Sequence, residues 1–192
     1  GLKPGQTLAP AQAVTHIFTS ADYDLAAIER WQRFLAAWAY GFSAQVSLHY
    51  PRCLLLEVRS SLGLFGPWPR FEARLRQELN ALGFRQRITV APNPAAARIL
   101  ANAHDGLAVS DDTTLREALG RLPVERLGLS REVATAFARM GLRSLSQLLA
   151  LPRDSVARRF PAEVLLQLDT LLGQRPLALE FYRPPDVFGA RI

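Results

Sequence analysis

Cysteine is almost absent from this sequence, since Cys53 is the only one among 192 residues. A single cysteine excludes an intrachain disulfide and favours a reducing compartment, so we expect a cytoplasmic protein. Long hydrophobic runs are also lacking, because none approaches the roughly 20 residues of a membrane-spanning helix. The first ten residues lack the apolar core of a signal peptide. The sequence has no initiator methionine either, and we therefore expect it to be a piece of a longer protein.

Recognisable catalytic motifs are missing as well. The sequence contains no G-x-S-x-G, H-E-x-x-H, Walker A or G-x-G-x-x-G pattern. His16, His49 and His104 are scattered and have no metal-ligand partner at helical spacing. Cys53 has no obvious histidine base, and a lone cysteine in an apolar strand is more often a small core residue than a nucleophile. We therefore predict no metal site and no cofactor from motifs alone.

Lysine is nearly absent too, because Lys3 is the only lysine among 23 Lys and Arg residues. With 17 acidic residues the formal net charge is +6. The planar guanidinium group of arginine matches phosphate oxygens, so this excess favours a polyanionic partner. A nucleic acid is the leading candidate, and a basic surface without a specific partner is the alternative.

The first half of the chain alternates between helical and strand patterns. Apolar residues at three- and four-residue steps predict a long helix over about residues 22–40. Short apolar stretches predict strands at 46–48, 53–58, 85–92 and 107–109, with helices starting near residues 69 and 94. This order predicts an α+β fold with helices on one face of a sheet.

The second half, from about Asp111, has helical patterns only. Asp111 or Asp112 is a suitable helix cap, and a cap is the preferred role for this acidic pair over a metal site. Further helices are predicted at 131–140, 145–149, 153–160 and 162–172. The chain therefore divides into an α/β unit and a small, arginine-rich helical unit.

Four stretches, in this order along the chain, together resemble the Y-family translesion DNA polymerases. They are "GLKPGQTLAPAQAV", "LLLEVRSSLGLFG", "ITVAPNPAAARILANA" and "LPVERLGLSREVATAFARMGLRSLSQLLALP". The resemblance implies a ferredoxin-like polymerase palm, with a mixed or antiparallel sheet, and a helical thumb with a helix-hairpin-helix-like element. It divides the chain into a fingers-like remnant or connector (1–20), a palm (21–112), a thumb (113–176) and a linker (177–192) toward a little-finger domain.

The sequence departs from the family pattern at the residues that bind metal and nucleotide in that family. The resemblance places Arg52 and Cys53 where the family has an Asp-Glu pair, and Pro94 where it has a lysine that reaches the incoming triphosphate. An arginine repels Mg²⁺, and a neutral thiol is a poor ligand for such a hard cation. The family's other metal-binding aspartate lies on a strand upstream of Gly1. The resemblance therefore implies a degenerate catalytic site in a protein that is not an enzyme.

This replacement of metal- and nucleotide-binding residues is similar to that in the ImuB branch of the superfamily. The resemblance implies a non-catalytic, nucleoid-associated scaffold of damage-induced mutagenesis. The implied partners are a RecA-like ImuA protein, an error-prone replicative-type polymerase and, through regions outside this chain, the sliding clamp. No membrane partner is expected. Two alternatives stay open: an active Y-family polymerase whose acids lie in another register, and a helix-hairpin-helix DNA-binding protein unrelated to polymerases.

Arginines of the helical unit are the predicted contacts to DNA. Contact with backbone phosphates gives weak, salt-sensitive and sequence-independent binding. For any one arginine, a solvated helix face is the alternative role. The predicted DNA-binding residues are Arg121, Arg126, Gly128, Ser130, Arg131, Arg139 and Arg143, and Arg153, Arg158 and Arg159 are further candidates.

Overall fold

The computed structural model describes residues 24–185 and, before them, only Ala13, which is helical. The predicted fingers-like segment 1–20 therefore lies, apart from Ala13, outside the described residues. The same holds for residues 186–192 of the predicted linker. In the described part of the chain, no helix is long and apolar enough to cross a membrane.

The first half of the described chain contains four helices and four short strands. In order, they are α1 (Leu25–Tyr40), β1 (Val46–Ser47), β2 (Leu55–Leu56), α2 (Leu62–Phe65), α3 (Trp68–Ala81), β3 (Thr89–Val90), α4 (Pro94–Ala103) and β4 (Leu107–Ala108). A 3₁₀ turn, Arg59–Ser61, precedes α2. This order follows the predicted pattern, and the mixed α+β architecture confirms the predicted fold class.

The strands are shorter than predicted, and they form two separate pairs. β1 and β2 are antiparallel, with Val46 opposite Leu56, while β3 and β4 are parallel, with Thr89 opposite Leu107. Among the described residues, no ladder joins the two pairs into one sheet. The predicted strand 53–58 is reduced to β2 because a turn at Pro51 and Arg52 comes before it and a 3₁₀ turn follows it.

The second half of the described chain contains helices and an isolated antiparallel bridge between Pro123 and Ser144. Its helices are α5 (Asp112–Gly120), α6 (Arg131–Arg139), α7 (Leu145–Leu149), α8 (Arg153–Arg159) and α9 (Ala162–Leu171), with a 3₁₀ turn at Val124–Arg126. Asp111 caps α5, as predicted, because its Oδ1 accepts a hydrogen bond from the Thr114 N–H at 2.9 Å. Ser130 and Ser144 cap α6 and α7 in the same way.

One large core joins α4 to all the helices of the second half. Ile99 and Leu100 of α4 are buried together with Leu119, Phe137 and Leu168. Two smaller clusters lie under α1 and α3 and are centred on Ala36 and Phe71 respectively. The helix that follows β3 is therefore part of the same packing unit as the helical half.

An ion-pair network holds α3 against the strands β3 and β4. The Arg76 guanidinium donates to Glu72 on the same helix and to both carboxylate oxygens of Asp105, at 3.1 and 2.6 Å. Asp105 also accepts from the Ile88 N–H at 2.9 Å. These hydrogen bonds, above all those from Arg76, lower the pKa of Asp105. The network fixes the middle of α3 next to Ile88 and Asp105, which come just before β3 and β4.

Candidate nucleic-acid interface and candidate catalytic position

Arg52 lies in the turn before β2, with backbone φ at 55°. Among the described residues it is the only non-glycine residue with a left-handed backbone, a conformation that costs roughly 1–2 kcal/mol. Arg52 borders a cavity of about 370 Å³ that is lined mainly by apolar groups of α1 and of the loop after α3. No carboxylate lines this cavity, and Trp31, Leu35 and Phe84 are among the residues that do. Arg52 is exposed to solvent, and the protein groups that border it in this cavity are mainly apolar.

Cys53 is partly buried beside Arg98 and Tyr50. Burial raises the pKa of the Cys53 thiol, and the nearby Arg98 guanidinium offsets part of that rise. The same burial raises the pKa of Tyr50, whose ring lies 4.2 Å from the guanidinium carbon of Arg98. Cys53 is thus a neutral thiol, which is a poor ligand for Mg²⁺.

Glu57, the first acid after Cys53 in the sequence, has a local structural role. Its Oε1 accepts a hydrogen bond from the Arg59 N–H at 2.7 Å, and its Oε2 accepts from the Ser60 N–H at 3.2 Å and from the Ser60 hydroxyl at 2.5 Å. The hydrogen bond from the Ser60 side chain contributes most to lowering the pKa of Glu57. The carboxylate therefore caps the 3₁₀ turn, a role that the sequence analysis did not identify.

No cluster of potential metal ligands lies elsewhere in residues 24–185. Within that range, no group of three or more His, Cys, Asp or Glu side chains is close enough to hold a metal ion. The chemistry that is present around residues 50–53 is cationic, aromatic and thiol in nature.

Pro94 is the first residue of α4, where its missing N–H leaves no hydrogen bond unmade. Its neighbour Asn93 caps the helix, because Asn93 Oδ1 accepts from the Ala96 N–H at 2.9 Å. The Asn93 side-chain amide also donates to the Leu171 carbonyl at 3.0 Å, at the end of α9. Asn93 and Pro94 therefore begin α4, and Asn93 connects this helix to the end of α9. Arg98 is the only cation on α4.

The predicted hairpin turn at Gly128, Leu129 and Ser130 leads directly into α6. Gly128 has φ at 75°, a left-handed conformation that glycine adopts without steric cost. The Ser130 hydroxyl accepts from the Val133 N–H at 3.3 Å and donates to Glu163 Oε1 at 3.0 Å. The Gln167 amide donates to the Leu127 carbonyl at 2.7 Å, so α9 contacts the turn at two points.

The arginines of the helical half differ in whether a partner within the chain holds them. Arg126 donates to the Asn102 carbonyl at 2.8 Å, and Arg153 forms a two-point ion pair with Asp169 at 2.7 and 2.6 Å. Among the described residues, the remaining candidates are exposed and have no side-chain hydrogen bond or ion pair. They are Arg121, Arg131, Arg139, Arg143, Arg158 and Arg159. Their contact with DNA stays a prediction.

Comparison with known proteins places this geometry in a family context. No protein-family model matches the chain. "Protein ImuB" from Caulobacter vibrioides is 33% identical over all 192 residues, in both strain NA1000 / CB15N and strain ATCC 19089 / CIP 103742 / CB 15. The chain spans 42% of the length of these relatives.

Solved structures with a similar fold come from the Y-family polymerases. A crystal structure of DinB from Sulfolobus solfataricus has a TM-score of 0.75 at 18% identity, covering 94% of this chain and 55% of that one. An insertion ternary complex of Dbh DNA polymerase has a TM-score of 0.73 at 18% identity, covering 94% of this chain and 54% of that one. A Y-family DNA polymerase chimera, Dbh-Dpo4(243-245)-Dbh, has a TM-score of 0.73 at 16% identity, covering 96% of this chain and 55% of that one. The chain therefore has the fold of the Y-family DNA polymerases, and all 192 of its residues are similar to a part of ImuB that makes up 42% of that protein.

Proposed function

We propose that the chain is the palm and thumb of a non-catalytic, polymerase-like scaffold that acts in translesion synthesis after DNA damage. Homology to ImuB and the Y-family fold support a polymerase-like protein. The proposed partners are a RecA-like ImuA protein, an error-prone replicative-type polymerase and a sliding clamp that binds outside this chain. DNA is bound weakly, through the backbone, and the protein works in the cytoplasm next to the nucleoid.

The observation that carries the proposal is the chemistry of residues 52 and 53. Two-metal phosphoryl transfer needs carboxylates that bind both ions and clamp the attacking and leaving oxygens. Arg52 adds a positive charge where the family pattern has an acid, and the Cys53 thiol is neutral. Glu57 does not replace them, because its carboxylate is occupied by Arg59 and Ser60.

The second element of the proposal is Pro94, which stands where the family has a lysine that contacts the incoming triphosphate. A proline has neither a cationic side chain nor an N–H group with which to contact a triphosphate. Arg98, one turn further along α4, has its guanidinium against the ring of Tyr50. The residues at the metal-binding and nucleotide-binding positions of the family pattern are thus altered together. A shift of the pattern by one residue places Pro51 and Arg52 at the acid pair and does not restore the acids.

Primer extension on a lesion-containing template tests the proposal. The full-length protein is assayed with Mg²⁺ and all four deoxynucleotides, together with the double variant Arg52→Asp, Cys53→Glu. We expect incorporation by neither protein, because two acids alone do not restore the lysine at Pro94. An active DinB-family polymerase serves as the positive control. Robust incorporation by the unaltered protein favours the active-polymerase alternative and overturns the proposal, while extension by the double variant alone shows that only the acids are lost.

A further inference from the structure

One face of α1 borders an open cavity on the surface of the α/β half, opposite the loop that follows α3. The lining on α1 includes Ile28, Trp31 and Leu35, which are spaced by three and four residues. This spacing covers two turns of the helix, or roughly 10 Å. A helix packs against a neighbour through side chains with this spacing, and here a cavity of about 370 Å³ lies in the place of such a neighbour. We call this surface the α1 groove.

Exposed aromatic and apolar side chains form the wall of the α1 groove and extend beyond it. Trp31 is 56% exposed, Phe34 44% and Leu82 40%. The Trp31 ring contacts the rings of Phe34 and Phe84 edge-to-face, with centroids 5.7 and 5.8 Å apart. These contacts hold the indole ring in place while more than half of the residue stays accessible. Adjoining exposed apolar groups mark interaction sites, and tryptophan is frequent among the residues that dominate binding energy.

The charge around the α1 groove is mainly positive. Arg52 lines the groove, and the exposed Arg85 directly follows Phe84. The turn at 48–53 and the loop at 82–88 together carry three arginines and no acid. The charged residues of α1 itself are two arginines and one acid, namely Arg30, Arg33 and Glu29. An apolar surface edged by cations is complementary to an apolar surface edged by carboxylates.

This charge argues against two other occupants of the groove. A second copy of the chain would bring the arginines of both copies together, and like charges repel. The segments 1–23 and 186–192 each carry one cationic and one acidic side chain, so neither has the net negative charge that the groove favours. An acidic partner, in contrast, both pairs with the arginines and covers the exposed aromatic groups.

We propose that the α1 groove is the docking site for an acidic amphipathic helix of a partner protein. Apolar side chains at every third or fourth position of that helix enter the groove beside Trp31, and its carboxylates pair with Arg52 and Arg85. The inference adds a surface and a class of partner to the proposed scaffold, and it rests on the proposed function only for the biological role of that partner.

Selection of peptides by the full-length protein tests the inference. The probe is a displayed library of random peptides of about 16 residues, long enough for four helical turns. We expect the selected peptides to have apolar residues at three- and four-residue steps and a net charge of about −3 or below. Synthetic, fluorescein-labelled copies of these peptides then give dissociation constants by fluorescence anisotropy.

Two variants separate the apolar and the charged parts of the groove. Trp31→Ala is expected to weaken binding of the selected peptides about tenfold or more, because it removes the central aromatic ring of the groove. The double variant Arg52→Gln, Arg85→Gln is expected to weaken binding about three- to tenfold at low salt, and less at high salt, where exposed charges are screened. Circular dichroism confirms that each variant is folded.

Leu64→Ala is the matched control, because Leu64 is 81% exposed on α2 and is not among the residues that line the groove. We expect this substitution to change peptide affinity less than about twofold. The inference is overturned by selected peptides that are neutral or basic, by equal losses for Trp31→Ala and Leu64→Ala, or by a lack of peptide binding. Sedimentation that shows a dimer of the unaltered protein but a monomer for Trp31→Ala also overturns it, since the groove then binds a second copy. Each of these results leaves the proposed function standing, because primer extension tests that function separately.

Discussion

Replacing Arg131, Arg139 and Arg143 together by glutamine is expected to weaken duplex DNA binding about 10- to 100-fold at low salt. All three are exposed, two on α6 and one in the segment that follows it, and no acidic side chain in residues 24–185 pairs with them. Each phosphate contact contributes about 0.9 to the salt slope, so the loss of three contacts lowers the magnitude of that slope by about 2.7.

The control for this experiment removes the same charge from the α/β half of the chain. Arg30, Arg33 and Arg85 are exposed, and within the described residues they have no side-chain partner. Their triple replacement by glutamine is expected to lower affinity less than threefold. Equal losses for the two triple variants, measured by fluorescence anisotropy over a salt series, would mean that the overall positive charge, and not the helical half in particular, binds DNA.

Phe137→Ala is expected to lower the free energy of unfolding by about 3–5 kcal/mol, the usual range for a fully buried phenylalanine. The Phe137 ring is inaccessible to solvent and packs edge-to-face against Phe160, with ring centroids 4.8 Å apart. Its core extends to Ile99 and Leu100 of α4, so the substitution is expected to destabilise α4 together with the helical half.

Urea unfolding followed by circular dichroism and by proteolysis measures this effect. Met140→Ala is the control, because Met140 lies just after the same helix and is 44% exposed. We expect that substitution to change stability by less than about 0.5 kcal/mol, as is usual at the surface. A loss below 1 kcal/mol for Phe137→Ala, or α4 that stays protected from protease while the helical half unfolds, would contradict a core shared between them.

Local sequence signals predicted much of the helical structure. Asp111 marks the start of α5 because an aspartate side chain accepts a hydrogen bond from an N–H group three residues ahead. Pro94 and the apolar spacing after it predicted α4, and the structure places the helix at Pro94–Ala103. Such signals act within one or two turns of the chain and are therefore visible in a single sequence.

Contacts between distant segments could not be predicted in this way. The hydrogen bond from Asn93 to Leu171 spans 78 residues, and that from Ser130 to Glu163 spans 33. Neither pair has a spacing that a helix or hairpin would produce, because tertiary packing alone brings them together. Glu57 was predicted to lie within a strand at 53–58, so its capping of the 3₁₀ turn was not expected.

Strand lengths were also predicted poorly. Apolar residues at 53–58 favour an extended chain, yet regular pairing is confined to Leu55 and Leu56. Extended backbone becomes a strand only where a partner supplies hydrogen bonds, and a single sequence does not reveal where that pairing stops. The Arg52 turn and the 3₁₀ turn after Val58 set those limits.

Metal-dependent nucleotide binding tests most directly whether the position of the polymerase site can still bind metal and nucleotide. Isothermal titration of the full-length protein with a deoxynucleoside triphosphate measures the affinity for the nucleotide without requiring turnover. Titrations with and without Mg²⁺ show whether that affinity depends on the metal. The DinB-family error-prone polymerase from Sulfolobus solfataricus is the comparison protein. With Arg52, Cys53 and Pro94 at the positions where the family pattern has two acids and a lysine, we predict no binding tighter than about 1 mM and no difference on adding Mg²⁺. Micromolar binding that requires Mg²⁺ would contradict the account.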